Sequence, residues 1–406
     1  MPSTYVVHYS EIALKGKNRP EFARVLRRNI RRAMATASEV EVESSDGRYL
    51  VETAAGESEV ERRLSRVFGV AWFAKASVTP ANYSSISSTV VEAARGDAGT
   101  FMVAARRSDK SFPIGSVELA RRLGGDVVVA TNRKVDLTDP STTIHVDVLK
   151  GRALVYSAKV RGPGGLPVGT AGKVMHLFSG GIDSPVAAWL LMKRGCQPVY
   201  LHFYSAPDAE YALKSKVARI VRLLTEYSGR SNLLLMPFAD YQVATSDAPA
   251  DAEPSLFRRF MRMTAESLAP RFSASAVSTG DSLSQAASQT LWNIAVFDSG
   301  SSLPILRPVL GYDKEEIVQL GKKIGTYEPS VEEYRDCCSI VTRHPKTRVK
   351  AELIEDCSKH FDFQRLVARC VSMGTLATFD NRREAPSVTP LRELTDTPQL
   401  RLGGKQ

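Results

Sequence analysis

The string Ser179-Gly180-Gly181-Ile182-Asp183-Ser184 combines what a protein needs to grip a pyrophosphate: two glycines, two hydroxyls and a helix that starts at once. Glycines let backbone N–H groups approach an anion, Ser179 and Ser184 add O–H donors, and a helix N-terminus adds partial positive charge. Asp183 is itself an anion, so it is not a phosphate contact. Its place there is to help hold Mg²⁺ beside a nucleotide or to orient the loop. The apolar run Val174-Met175-His176-Leu177-Phe178 leads directly into the string, and residues 185–193 are helix-forming. A serine-capped strand-to-helix turn would account for a bare S-G-G; the full S-G-G-x-D-S after an apolar strand is far more specific. The chemistry indicated is the use of ATP to activate an oxygen for replacement.

Further residues complete a nucleotide pocket in outline. His202 and Phe203 fall near the end of a second strand, and Ser278-Thr279-Gly280-Asp281 follow a later one, with Gln285 and Gln289 expected on a helix beyond. Gly280 permits close backbone approach and Gln289 can pair with a base edge. Each residue alone is equally at home as packing or capping. Cys337 and Cys338 stand in Asp336-Cys337-Cys338-Ser339, just before the basic run Arg343-His344-Pro345-Lys346-Thr347-Arg348. Neighbouring cations favour the thiolate, the nucleophilic form. Cys196, Cys357 and Cys370 sit in or beside helical patterns and read as core or surface thiols. Five cysteines without C-x-x-C or regular spacing give neither a disulfide framework nor a structural zinc site, so no metal-binding residues are assigned and the thiols are expected to be reduced.

These residues need elements to place them. From Lys173 onward, strands at 174–178, 198–204, 232–238 and 276–278 alternate with helices at 185–193, 211–227, 256–268 and 313–324. That rhythm predicts an α/β domain whose parallel sheet is covered by helices on both faces, with ligands beyond the carboxyl ends of its strands. Before it, strand 5–9, helix 20–35, strand 101–105, helix 116–123 stopped by Gly124-Gly125, and a hairpin from 144–148 to 153–156 read as α+β. The Gly/Pro-rich stretch 161–169 separates the two parts.

Charge is uneven: residues 1–170 carry 25 Lys/Arg against 18 Asp/Glu, residues 171–406 carry 29 against 26. A basic module joined to a nearly balanced one suggests a polyanion partner, with ordinary solubility charge as the plain alternative. Two loops concentrate the cations: Lys15, Lys17 and Arg19 around Gly16, and Arg106, Arg107 and Lys110 after the 101–105 strand. Either could contact phosphates or be a solvated surface loop. No run approaches the ~18 apolar residues of a membrane span and no secretion signal opens the chain, so a cytoplasmic protein without membrane partners is expected.

Taken in order, Tyr9-Ser10-Glu11-Ile12 with Lys15-Gly16-Lys17-Asn18-Arg19, Gly164-Gly165-Leu166-Pro167-Val168-Gly169, residues 179–187, residues 279–290 and Asp336-Cys337-Cys338 resemble the ThiI family of tRNA uridine 4-sulfurtransferases over about residues 5–350. The resemblance implies a ferredoxin-like α+β domain (1–57), a THUMP tRNA-binding domain (58–165), a PP-loop ATP pyrophosphatase domain (172–370) and a C-terminal tail (371–406). It implies ATP and Mg²⁺ as cofactors, adenylation of uridine O4, and sulfur delivery from a cysteine persulfide with release of AMP. Leu177, Phe178, His202, Phe203, Arg258, Gly280 and Gln289 would contact ATP beside the loop. Asp183 and Lys314 would support activation, Cys338 would carry the sulfur and Cys337 would serve as auxiliary thiol. Implied partners are tRNA, a cysteine desulfurase or other persulfide donor, a sulfur carrier linked to thiamine synthesis, and a second copy in a homodimer. Only 36 residues follow Cys370, too few for the rhodanese domain of longer members. Smaller departures are Ser10 and Ser284 where glycine is common, and Asp281 where glutamate is common. Two rival readings remain: an ammonia-using ligase or amidotransferase of the same loop class, and a tRNA-binding protein without catalysis.

Overall fold

The computed structural model describes residues 2–35, 37–96, 98–205, 208–334 and 346–394, and divides into two units, Met1–Gly165 and Leu166–Gln406. In the first unit the chain runs through β1 (Ser3–Tyr9), α1 (Arg19–Met34), β2 (Val40–Ser45), β3 (Arg48–Thr53), α2 (Glu57–Leu64) and β4 (Val70–Pro80). It continues through α3 (Tyr83–Arg95), β5 (Phe101–Arg107), α4 (Ser116–Thr131), β6 (Thr142–Val148), β7 (Arg152–Tyr156) and the short β8 (Val160–Arg161). The strand order is β2-β3-β1-β4-β7-β6-β5, with β8 on β4. Residues 57 and 58, where a domain boundary was expected, open α2, and β4 beyond it pairs with β1 along its first half and with β7 along its second.

Alternation along the strands sorts side chains onto two faces. Tyr5, Val7, Val42, Val51 and Phe73 pack under Leu26, Ile30 and Met34 of α1, while Ile144, Val146, Val155 and their neighbours pack under Ile86 and Val90 of α3 and Leu119, Leu123 and Val127 of α4. That apolar stripe carries α4 straight through Gly124-Gly125, which was expected to stop it. The helix ends instead at Asn132, in the left-handed region at φ 57°. Burial at i, i+4 and i+8 outweighs the ~1 kcal/mol that each interior glycine costs.

Val6, Leu50, Ala74, Leu154 and Tyr156 form a separate core on the opposite face. There Arg48 of β3 forms a buried ion pair with Asp147 of β6 and also reaches the Ser108 hydroxyl at 3.3 Å. Those two strands are four steps apart in the sheet, about 19 Å if it were flat. The sheet therefore curls, bringing the end of β1 and the turn after β5 together.

The second unit contains β9 (Lys173–Leu177), α5 (Asp183–Lys193), β10 (Gln197–Tyr204), α6 (Ala209–Leu213), α7 (Lys216–Ser228), β11 (Arg230–Pro237) and α8 (Ala239–Ala244). It goes on to α9 (Glu253–Phe272), β12 (Ala274–Ser278), α10 (Leu291–Asp298), β13 (Ile305–Leu306), α11 (Lys314–Ile324) and α12 (Tyr327–Val331). Two further helices, Ala351–His360 and Phe363–Met373, precede β14 (Thr375–Asp380) and β15 (Ser387–Pro390). The order is β13-β12-β9-β10-β11-β14-β15, parallel from β13 to β11. The chain proceeds from β9 to β10 and β11 on one side, then returns to place β12 on the other. That reversal beside β9 is where doubly wound sheets open a ligand crevice.

Three expectations are corrected. The helix expected over 211–227 is two, α6 and α7, because the Ser215 hydroxyl caps a new start by accepting from Val217 N–H. The sheet is not wholly parallel: β14 lies antiparallel to β11, and β15 to β14. Residues 375–394, expected as part of a tail, belong to the unit: Leu376, Phe379 and Leu391 are buried, and Arg271 donates to the carbonyls of Leu391 and Leu394.

Candidate active site

At the carboxyl end of β9 the chain turns through residues 178–182 into α5, with Gly180 at φ 79°. The turn has little room, since a Cβ on Gly180 would stand 2.8 Å from Val217 Cγ2. Beneath it His176 is fully buried and bridges two elements: one ring nitrogen lies 2.9 Å from the Ser184 carbonyl, the other 2.8 Å from Ser278 Oγ. A carbonyl only accepts, so Nε2 carries the proton and Nδ1 accepts from the serine. Burial pushes this histidine down to about 4, so it is neutral at pH 7 and fastens α5 to β12.

β12 ends in Thr279-Gly280-Asp281, which passes directly behind the loop. A Cβ on Gly280 would lie 2.8 Å from Ser184 N and 2.9 Å from its Cα. Glycine is required there because two backbones touch.

One cavity of about 320 Å³ opens at this point, lined by Leu177, Phe178, Ser179, Asp183, Ser184, His202, Phe203, Arg258, Gly280 and Gln289. Ten residues expected at a nucleotide site from four separate stretches of sequence are thus brought together. Gly180 and Gly181 lie in the loop itself. Phe257, Met261 and Phe297 extend the apolar part of the wall. Sequence reasoning missed these three, because an apolar residue that faces a ligand has the same pattern as one that faces the core. Gln285 and Gln289, expected on a helix, stand in the irregular stretch before α10, Gln289 in a single 3-10 turn. Gln289 Oε1 is buried in the cavity wall and has no hydrogen-bond partner among the described residues, an acceptor suited to the exocyclic amine of a base. Ser284, where glycine is common among the chains it resembles, has φ 62°, the conformation that favours glycine.

The charged groups form two sets. Asp183 accepts from Lys314 Nζ at 2.8 Å and from Gln285 Nε2 at 3.0 Å, placing a cation and an anion together at the mouth of the loop. Deeper, Arg258 grips Asp281 with both terminal nitrogens, at 2.9 and 2.7 Å, and its guanidinium lies 4.7 Å from the Phe297 ring centre. Arg307 joins Asp281 to Asp298. Burial raises the Asp281 carboxyl, but Arg258, the Thr279 hydroxyl and Arg307 outweigh it and hold it below the usual range. Arg258 therefore lines the cavity with its charge already matched.

His202 donates from Nδ1 to the Phe178 carbonyl at 2.8 Å, leaving Nε2 to accept from the Tyr334 hydroxyl at 3.1 Å. Cys337 and Cys338 lie outside the described residues. The remaining thiols are poor nucleophiles: burial pushes Cys370 up to about 12 and raises Cys196 and Cys357.

In the first unit, Lys17, Arg19, Arg106 and Lys110 are exposed. Arg19 bonds the Tyr9 hydroxyl and Lys15 lies 5.2 Å from the centre of the Phe22 ring. Arg107 is spent on its own turn, donating to the Phe112 carbonyl at 2.6 Å. Burial and then the charges of Arg48, Arg106 and Lys159 push His8 down to about 4, which marks a positive field at the end of β1.

Comparison with known proteins agrees with this geometry. Residues 4–74 match the ThiI ferredoxin-like domain, residues 83–158 the THUMP domain, and residues 169–363 the family described as thiamine biosynthesis protein (ThiI). A probable tRNA sulfurtransferase of Thermoanaerobacter sp. (strain X514) is 39% identical over 90% of this chain and 97% of its own. One from Thermus thermophilus is 37% identical over 91% and 92%. The crystal structure of a 4-thiouridine synthetase in complex with RNA and with bound ATP superposes with a TM-score of 0.85 at 32% identity, covering 94% of this chain and all of that one. PH1313 from Pyrococcus horikoshii shares the fold, with a TM-score of 0.62 at 24% identity. With three matching domain families in order and relatives of this identity along nearly its whole length, the chain belongs to the ThiI family of tRNA sulfurtransferases.

Proposed function

We propose that this protein makes 4-thiouridine in tRNA, with ATP activating the uridine and a Cys338 persulfide supplying the sulfur. The observation that carries this reading is the single cavity that gathers the phosphate-gripping loop, His202-Phe203, Gly280 and Gln289 around one nucleotide-sized space. ATP fits those residues: its base would meet the orphaned Gln289 acceptor and the apolar wall, and its phosphates would meet the 179–184 loop at the start of α5. Asp183 is the carboxylate at the loop that would help hold Mg²⁺, which would neutralise phosphate charge and otherwise rest on the triphosphate.

In this reading uridine O4 attacks the α-phosphorus, the bond to pyrophosphate breaks and pyrophosphate leaves. Lys314, held beside Asp183, stabilises the charge that develops on phosphate. The terminal sulfur of the Cys338 persulfide then bonds to C4, and AMP departs with the former O4. A second thiol, for which Cys337 is the candidate, breaks the sulfur–sulfur bond, and an external thiol reduces the resulting disulfide. Lys15, Lys17, Arg19, Arg106, Arg107 and Lys110 would contact tRNA phosphates, with Arg107 also shaping its turn. Among the described residues no helix is long and apolar enough to cross a membrane, which accords with a cytoplasmic enzyme acting on tRNA. A persulfide donor, a role in thiamine synthesis through a sulfur carrier, and a homodimer belong to the same reading.

The protein incubated with unmodified tRNA, Mg-ATP and a small-molecule persulfide should release AMP and form 4-thiouridine. Absence of both products would sink the proposal. Unchanged 4-thiouridine formation by Cys338→Ser would sink the Cys338 persulfide step, whereas an ammonia-type replacement would give cytidine in place of 4-thiouridine.

A further inference from the structure

Next along the chain from the cavity wall stands a feature that nucleotide binding does not use. Past Gln289, the first turn of α10 exposes Leu291 and Trp292, the indole being 55% accessible. The Arg348 guanidinium lies 3.9 Å from the centre of the Trp292 ring, and Arg348 has no carboxylate partner among the described residues. The pair is held firmly from below. Thr290 Oγ1 donates to the Thr347 carbonyl at 2.7 Å, Asn293 donates to the carbonyls of Ala287 and Lys346, and Val349 N–H donates back to Asn293. Asn293 thus ties the turn that holds cavity residues Ala286, Ser288 and Gln289 to the strip that carries Arg348. Trp292 is three residues from Gln289, within about 10 Å along the chain.

We propose that Trp292, stacked with Arg348, is a base-stacking platform that holds a nucleotide next to the reacting uridine; this rests on the function proposed above. A uridine whose O4 reaches a nucleotide in this cavity is attached to neighbours that must lie at its rim. An exposed indole with a guanidinium on its face is the surface that stacks unpaired bases, and the unmatched charge of Arg348 suits the adjoining phosphate. Among the described residues, Leu291 and Trp292 are the exposed apolar side chains of this turn, and the strip tied to it carries Arg348 and Lys346, the latter paired with Asp251. That composition suits RNA better than an apolar protein interface.

The test compares Trp292→Ala, Trp292→Phe and wild type in 4-thiouridine formation with a small-molecule persulfide. Loss of one base stack should raise KM for tRNA about tenfold in the alanine variant, with KM for ATP unchanged, and phenylalanine should restore most of it. Adding tRNA should quench the wild-type tryptophan fluorescence more than that of Trp292→Phe, whose surface position spares the fold. Equal KM for tRNA together with equal quenching would overturn the platform. So would a defect seen only when a cysteine desulfurase supplies the sulfur, which would assign the rim to a protein. Should wild type form no 4-thiouridine, the function proposed above fails, while the quenching comparison still decides whether Trp292 touches RNA.

Discussion

Two positions show how closely the site depends on single residues. Gly280 lies where a methyl group would meet Ser184 N at 2.8 Å, so Gly280→Ala must push the loop away from its phosphate-gripping geometry. The expected outcome is a rise of at least tenfold in KM for ATP, measured by initial rates, with a loss of about 1–3 kcal/mol in denaturant unfolding from overpacking. Ser284 presents the opposite case. It holds a left-handed conformation at φ 62° that costs a non-glycine residue about 1 kcal/mol. Ser284→Gly should therefore leave activity intact and raise stability by up to about 1 kcal/mol, read from the same unfolding curves. The sequence flagged both residues, Gly280 for close approach and Ser284 for standing where glycine is usual. Neither reason could be seen before the backbone angles and the facing start of α5 were known.

At the scale of elements, the link between β12 and α5 runs through one neutral histidine. His176 titrates near 4 in the fold and near 6.5 in the unfolded chain, so the unfolded chain takes up the proton first. Its contribution is complete above about pH 6.5 and is lost as pH falls towards 4, amounting to roughly 3 kcal/mol. Unfolding of the protein followed from pH 7 to pH 4 should show that slope together with the one His8 adds, and His176→Asn should reduce it without abolishing it. Asp281 acts lower on the scale: its carboxyl is held below the usual range, so its contribution persists above pH ~4 and is lost only as pH falls through its folded value. α4 teaches a related lesson about elements. Gly124-Gly125 carried a local stop signal, and the stripe of Leu119, Leu123 and Val127 overruled it, because burial is decided by what lies across the core. For the same reason β14 and β15 were read as tail: a short strand that pairs antiparallel at a sheet edge has no rhythm of its own in the sequence.

For the whole molecule, the uneven charge becomes a measurable prediction about salt. Phosphate contacts release counterions, so tRNA affinity should fall steeply with ionic strength. Replacing Lys15, Lys17 or Arg19 by alanine should each lower the slope of log K against log salt by about one and weaken binding evenly across tRNA species. Trp292→Ala should weaken binding with little change in that slope, because stacking releases no counterions. By itself the sequence pointed to the class of chemistry and to the outline of a site: the S-G-G-x-D-S loop is a local signal, set by what a phosphate requires at short range, Gly280 and Gln289 were candidates equally at home as packing, and Lys314 entered through the family resemblance. Only the tertiary structure decided which of these share a cavity, that Arg258 spends its charge on Asp281, that Arg48 and Asp147 meet across a curled sheet, and that Trp292 faces outward beside Arg348. Those outcomes depend on contacts between residues far apart in the chain, which strand order and packing set and which no local pattern encodes.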